Sequence, residues 1–185
     1  MDIDNLLNRI DIISNEFINK FNEFDSLKLN WKPNSHSWSI AQNIEHLIEV
    51  NTSYFDLVKS VRAGKYKLPF TGRIRFLVNI FGKFILKGVH PDTKKKIKTF
   101  SIWEPSSSNI ENILEKFEKH QKELKQFIIS CNDLLKQKIV ISSPANHYVV
   151  YDLYTAFDII VTHESRHFEQ AKNVIFEQNK LNYGK

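Results

Sequence analysis

Across the first two dozen residues, Leu6, Leu7, Ile10, Ile13, Phe17, Phe21 and Phe24 recur at intervals of mostly three and four. That spacing follows the 3.6-residue turn of an α-helix and puts every apolar side chain on one face, whereas a half-buried strand would alternate. The same period returns from Ile40 to Val58, from Ile110 to Phe127, and through the long segment from Tyr151 to Gln178. Four amphipathic helices bury their stripes most simply against one another, so the expected fold is all-α, a four-helix bundle. Five glycines and five prolines in 185 residues are too few for a loop-rich all-β chain and agree with long helices.

Punctuation residues predict where these helices begin and end. The first spans Asp2 to about Leu27, and Pro33 with its polar neighbours makes Leu29 to Ser37 a loop anchored by Trp31. Ser39 then caps a second helix, Gln42 three residues on completes a capping box, and Gly64 closes it. Pro105 and Ser106 to Ser108 signal the third helix, with a second capping box from Ser108 to Glu111 and an end near Cys131. Residues 132–150, which hold Pro144, are expected to be loop with a little extended chain near Lys138 to Ile141, and the last helix opens near Asp152. Between the second and third helices, the apolar run Ile74 to Leu86 is interrupted by Gly82 and mixed with basic residues. It predicts one or two short helices crossing the bundle; a basic apolar segment also suits a membrane surface, but packing against the other helices is the preferred reading.

Composition bounds the remainder. One domain, residues 1–185, is expected at this length and 42% hydrophobic content. The single Cys131 has no intramolecular disulfide partner, sits among Ile128, Ile129, Leu134 and Leu135, and suits a buried thiol in a reducing cytoplasm. No apolar run reaches the length of a membrane span. A net charge of +5 permits nucleic-acid contact without requiring it, and Lys94, Lys95, Lys96 and Lys98 lack the interleaved aromatics of a nucleic-acid motif. That run is read as a solvated loop, with no nucleic-acid partner expected.

The chemistry concentrates in HESRH, residues 163–167. His163 and His167 stand one helical turn apart, and Leu153, Ala156, Ile160, Ala171 and Val174 share their side of the helix. Each buried polar group left without a partner costs roughly 1–3 kcal/mol, so two imidazoles in a core stripe call for a metal, or for a buried carbonyl or carboxylate apiece. A metal would need a third ligand, and His36, His46, His90, His120 and His147 are the candidates among histidines. Spacing does not choose, because His46 lies well round from the Ile44, Leu47, Ile48 stripe, on a flank with Val50 and Tyr54. HESRH also fits the metalloprotease pattern H-E-x-x-H. A peptidase is the weaker reading, since downstream only Glu169 and Glu177 offer a third ligand and the chain upstream reads as helices.

Two longer patterns carry a resemblance. W-x-P-x4-WSIAQ-x3-H runs from Trp31 to His46, and H-x2-RH-x-EQAK from His163 to Lys172. Together and in this order they resemble the DinB-like superfamily. The resemblance implies a four-helix bundle with a divalent-metal site made by His46, His163 and His167, the metal being zinc, nickel, iron or manganese. Relatives include metal-dependent hydrolases and thiol-dependent enzymes such as bacillithiol transferases and mycothiol-dependent maleylpyruvate isomerases, while many members have no established activity. Three imidazoles leave an open position for water or for a low-molecular-weight thiol, so the expected activity on a small-molecule substrate is hydrolysis or thiol transfer. Glu164 is the candidate general base, and Glu164 and Gln170 are candidate orienters of the ligands. The alternative is a non-catalytic bundle that holds metal or an apolar ligand and dimerises through its helical faces.

Overall fold

In the computed structural model, residues 2–93, 99–106 and 109–183 are described. The chain is an all-α helical bundle carrying one small hairpin. Four long helices, α1 (Ile3–Phe21), α3 (Ile40–Arg62), α5 (Ile113–Ser130) and α7 (Leu153–Tyr183), form the bundle. Helices α1 and α3 each pack against both α5 and α7. A shorter helix, α4 (Arg75–Val89), lies across α7 and the hairpin.

The bundle core is split. Leu6, Ile10, Val50, Tyr54, Leu124, Phe157 and Ile160 belong to one apolar half, and Ile13, Phe17, Phe21, Ile44, Leu47, Phe117 and Phe168 to the other. In the second half the Phe17 ring lies 4.8 Å from Phe117, 5.0 Å from Phe168 and 5.9 Å from Phe21. Truncating so enclosed a ring to alanine costs about 3–5 kcal/mol. Buried polar side chains lie between the halves: Asn51 on α3, His120 and Gln121 on α5, and Glu164 on α7.

Several boundaries differ from the sequence expectation, each for a local reason. The first helix stops at Phe21 rather than near Leu27, because Asp25 caps a separate short helix, α2 (Ser26–Asn30), by accepting from Lys28 N. Leu29, expected in a loop, is thereby buried with Phe17 and Phe21. The third long helix starts at Ile113, not after Ser108. Asn30 holds residue 110 out of helical conformation, since its Oδ1 accepts from Ile110 N at 2.9 Å and its Nδ2 donates to Ile110 O at 3.0 Å. Asn112 then enters the helix from left-handed φ of 54°, which asparagine tolerates better than most residues. Ser108, the head of the expected capping box, lies outside the described residues with Ser107, as do Lys94, Lys95, Lys96 and Lys98.

The other capping box, Ser39 to Gln42, is present in both directions, and Gly64 leaves α3 at φ of 66°. The stretch expected to be mostly loop after Cys131 instead forms a short helix, α6 (Asn132–Lys136), and an antiparallel hairpin of β1 (Val140–Ser143) and β2 (Asn146–Asp152). Ile141 faces Tyr151 across it, and the pairing shifts between Ser142 and Ser143 at the turn. Long-range contacts secure the pair: Tyr66 Oη accepts from Ser142 N at 2.8 Å, and the Tyr54 and Tyr151 hydroxyls meet at 2.7 Å.

Gly82 does not interrupt the link helix. A single α4 runs through it, and a Cβ placed there would lie 2.9 Å from Thr155 Cγ2 and 3.5 Å from Tyr151 Cβ. The glycine is a close-approach point that lets α4 sit on the start of α7. At the other end Arg166 Nη1 donates to the carbonyls of Gly88, His90 and Thr93, which caps the C-terminal turn of α4 with a cation. No helix among the described residues is long and apolar enough to cross a membrane.

Candidate metal centre

His46 comes from the first half of α3, and His163 and His167 from the middle of α7. One ring nitrogen of each lies within 4.8 Å of the other two. Ring centroids are 4.4 Å apart for His163 and His167, 4.7 Å for His46 and His167, and 5.2 Å for His46 and His163. The α7 stripe expected from sequence is buried as a whole, with Leu153, Ala156, Ile160, Ala171 and Val174 at most 6% exposed. His46 and His167 are buried, and His163 is half-buried. The flank of α3 that carries His46, Val50 and Tyr54 is buried too, because α3 packs against α7 as well as α5. A helix with two bundle neighbours has an apolar arc wider than one stripe, so His46 can stand off the stripe centre and still face α7.

Hydrogen bonds fix the tautomers of two of the rings. His46 Nδ1 lies 2.8 Å from the carbonyl oxygen of Trp103 and must donate to it. His167 Nδ1 lies 2.8 Å from Asn43 Oδ1. The Asn43 amide is oriented by its own Nδ2, which donates to Ser39 O at 2.8 Å, so Oδ1 is the acceptor and His167 Nδ1 the donor. Each neutral ring therefore keeps a bare lone pair on Nε2. His167 Nε2 faces His163 Nε2 at 3.0 Å. An N–H on one ring can bridge that gap, and so can a cation drawing on both lone pairs.

Burial lowers the pKa of all three imidazoles: His46 below its usual range, His163 to about 3 and His167 well below, the last two depressed further by their neighbours' charges. Three neutral imidazoles with clustered nitrogens, two of them oriented through Nδ1 by carbonyl oxygens, have the donor chemistry of a divalent transition-metal site. The Trp38 ring lies 4.9 Å from His46 and stacks at 5.9 Å on His167, shielding that side. The stretch bearing Trp103 is tied to α3: Gln42 Nε2 donates to Ser106 O at 2.8 Å, and Glu45 Oε2 accepts from Ser106 N at 2.6 Å.

Glu164 makes its hydrogen bonds to other side chains than the clustered histidines. Fully buried between the core halves, its Oε1 accepts from Asn51 Nδ2 at 2.8 Å and Gln121 Nε2 at 2.7 Å. Its Oε2, Asn51 Oδ1 and Gln121 Oε1 have no hydrogen-bond partner among the described residues, and burial raises the carboxyl pKa to about 7. A proton on that carboxyl is a donor the orphaned oxygens otherwise lack. No hydrogen bond joins Glu164 or the half-buried Gln170 to the three histidines among the described residues.

The remaining histidines are not part of the cluster. His36 and His147 are exposed, His90 ends α4 near Asp92, and His120 is buried on α5 with its ring stacked 5.6 Å from Phe55. A surface cleft of about 660 Å³, lined by Arg9, Lys87, His90, Asp158, Thr162 and Ser165, includes none of the three clustered histidines. On the helical projection Asp158, Thr162 and Ser165 lie on the side of α7 opposite His163 and His167. Asn43, Trp103, Asn51 and Gln121 were given no role at the site from sequence, and Trp38 entered only within the motif that ends at His46. Asn43 had a signal, since it precedes His46 by three residues and shares its face; the Trp103 carbonyl had none.

A family model, that of the DinB superfamily, matches residues 14–171, a span that includes all three clustered histidines and the residues that orient them. No curated protein and no solved structure matches the chain.

Proposed function

This chain belongs to the DinB superfamily, and we propose that it is a one-domain, divalent-metal-dependent enzyme whose ion is held by His46, His163 and His167. The observation that carries the proposal is the pair of Nδ1 donations, from His46 to Trp103 O and from His167 to Asn43 Oδ1, which leave both Nε2 lone pairs free in a cluster whose three rings bring one nitrogen each within 4.8 Å. Structural histidines need only be satisfied; His46 and His167 are satisfied at Nδ1, and each keeps an Nε2 lone pair in the cluster. A three-histidine ion with an open position supplies Lewis acidity that lowers the pKa of a bound water or thiol. The chain's own contribution is to keep the imidazoles neutral, fix their tautomers and shield one side with Trp38. His163, the most exposed of the three, marks the side from which a small-molecule substrate enters.

The reaction is hydrolysis or transfer of a low-molecular-weight thiol of the bacillithiol type, on zinc, nickel, iron or manganese. Glu164 enters as a positioning residue that ties α3, α5 and α7 together, in preference to a general base, because its hydrogen bonds run to Asn51 and Gln121. A cytoplasmic setting, where the buried Cys131 stays a thiol, belongs to the same reading.

The test is metal analysis of chain purified without chelator, alongside H46A, H163A and H167A. Near-stoichiometric metal in the parent and its loss in each variant is the expected result; full occupancy with all three histidines replaced would defeat the proposal. Turnover that requires added thiol assigns a transferase and turnover without it a hydrolase, while stoichiometric metal with neither activity leaves a non-catalytic metal-binding bundle.

A further inference from the structure

Helix α4 buries one face and leaves the other uncovered. Val78 and Gly82 are buried, and Ile85 and Val89 pack toward the core, yet Phe76 is 69% exposed, Phe84 72% and Ile80 42%. These three stand four residues apart and so form one stripe along the outer side of the helix. Phe70, in the 3-10 turn just before α4, is 74% exposed. Scattered exposed apolar residues are ordinary, but a row of large ones on a single helix marks an interaction surface.

The charge around the stripe identifies the partner. Lys83 and Lys87 fall on the same projected side as Phe76, Ile80 and Phe84. From Gly64 to Pro91 the chain has six basic residues, Lys65, Lys67, Arg73, Arg75, Lys83 and Lys87, and no acidic one. The hairpin beside α4 adds only Asp152, whose carboxylate is occupied by Thr155 N and Oγ1. A second copy docking face to face would oppose Lys83 and Lys87 to their own images, while Asp92 and Asp158 sit by the cleft at the C-terminal end of α4, the latter already paired with Arg9. An anionic bilayer meets both demands: its headgroups neutralise the lysines and arginines, and the interface below receives aromatic rings. We propose that α4, with Phe76, Ile80 and Phe84 inserted and Lys83 and Lys87 at headgroup level, docks the protein peripherally on anionic lipid surfaces. Gly82 and Arg166, which pin α4 to α7 from the inner side, hold the stripe outward.

Co-sedimentation of the full chain with vesicles tests this. Binding is expected to vesicles of equimolar phosphatidylcholine and phosphatidylglycerol, to weaken with added salt, and to be much lower on phosphatidylcholine alone. Each basic residue near an anionic surface strengthens partition roughly fivefold, so K83Q/K87Q loses about 25-fold. F76S/F84S loses at least about tenfold. Both variants change exposed side chains, and unchanged thermal melts and metal content show that the fold is intact. Equal partition to both vesicle types, no partition, or binding untouched by F76S/F84S would each overturn the proposal. Self-association without lipid that F76S/F84S abolishes would assign the face to a second copy instead.

Discussion

Replacing His120 with phenylalanine should make the protein more stable, and increasingly so as the pH falls. His120 is 5% exposed, stacks on Phe55 with rings 16° from parallel, and has a buried Nε2 without a hydrogen-bond partner among the described residues. Burial depresses its pKa to about 4 from 6.5, against a smaller opposing effect of Glu123. A histidine with a lowered folded pKa contributes stability that is complete above the unfolded pKa and is lost as pH falls towards the folded one, because the unfolded chain takes up the proton first. At about 1.4 kcal/mol per unit, the interval from pH 6.5 to pH 4.5 removes roughly 3 kcal/mol. Phenylalanine keeps the stack, has no proton to gain and leaves no orphaned nitrogen, whose removal adds about 1 kcal/mol at any pH. H120F should therefore gain about 1 kcal/mol at pH 8 and about 4 kcal/mol at pH 4.5. The measurement is urea unfolding of both proteins at the two pH values with chelator present. The depressed imidazoles of His46, His163 and His167 titrate alike in both chains and cancel in the difference. An equal gain at both pH values, or a loss at pH 4.5, would refute the reasoning.

Other expectations test the metal centre and its scaffold. N43L removes the acceptor of His167 Nδ1 and should weaken metal binding by about 10- to 100-fold without unfolding the chain, as read by competition with a chromogenic chelator. Metal added at about 100 times its dissociation constant should stabilise the parent by about 2.7 kcal/mol, and H163A by nothing, in thermal melts. E164Q should keep its metal and raise stability at pH 8 by about 1–2 kcal/mol, since an amide N–H gives the orphaned oxygens a donor that the carboxylate lacks; a loss of metal would return Glu164 to the site. G82A should destabilise through contact with Thr155 Cγ2, while G82A/T155S, which keeps the hydroxyl on Asp152, should recover and gain up to about 1 kcal/mol of helix propensity. Chemical denaturation of the two variants decides it.

What the sequence made readable was whatever depends on near neighbours. The four long stripes, the Ser39 and Gln42 capping box, the Gly64 exit and the imidazole pair on α7 all follow from residues within a few turns of one another. What it withheld depends on partners far along the chain. Asn30 displaces the start of α5 from 80 residues away, and Tyr66 clamps a hairpin that serines and a proline disguise as loop. His46 had to be chosen by motif, because the width of the buried arc on α3 is decided by how many helices it touches. The carbonyl that orients His46 belongs to a segment with no helical period to read. Gly82 was visible, but a glycine that breaks a helix and one that admits a neighbour look alike until the neighbour is in place.

The polar belt of Asn51, Gln121 and Glu164 has a consequence for how the bundle aligns. Apolar layers are nearly interchangeable, so helices joined by them alone can slide past one another by a turn, about 5.4 Å, and still find leucine opposite phenylalanine. Here such a slip would set the Glu164 carboxyl against Phe117 or Leu124 and strand both amides. The belt is an index mark that gives the stack of helices one vertical setting. His46 rides on the helix that carries Asn51, and His163 and His167 on the one that carries Glu164. The spacing of the three imidazoles is thus inherited from a belt whose hydrogen bonds, among the described residues, reach none of the rings, and a variant that blurs the mark would detune the centre indirectly.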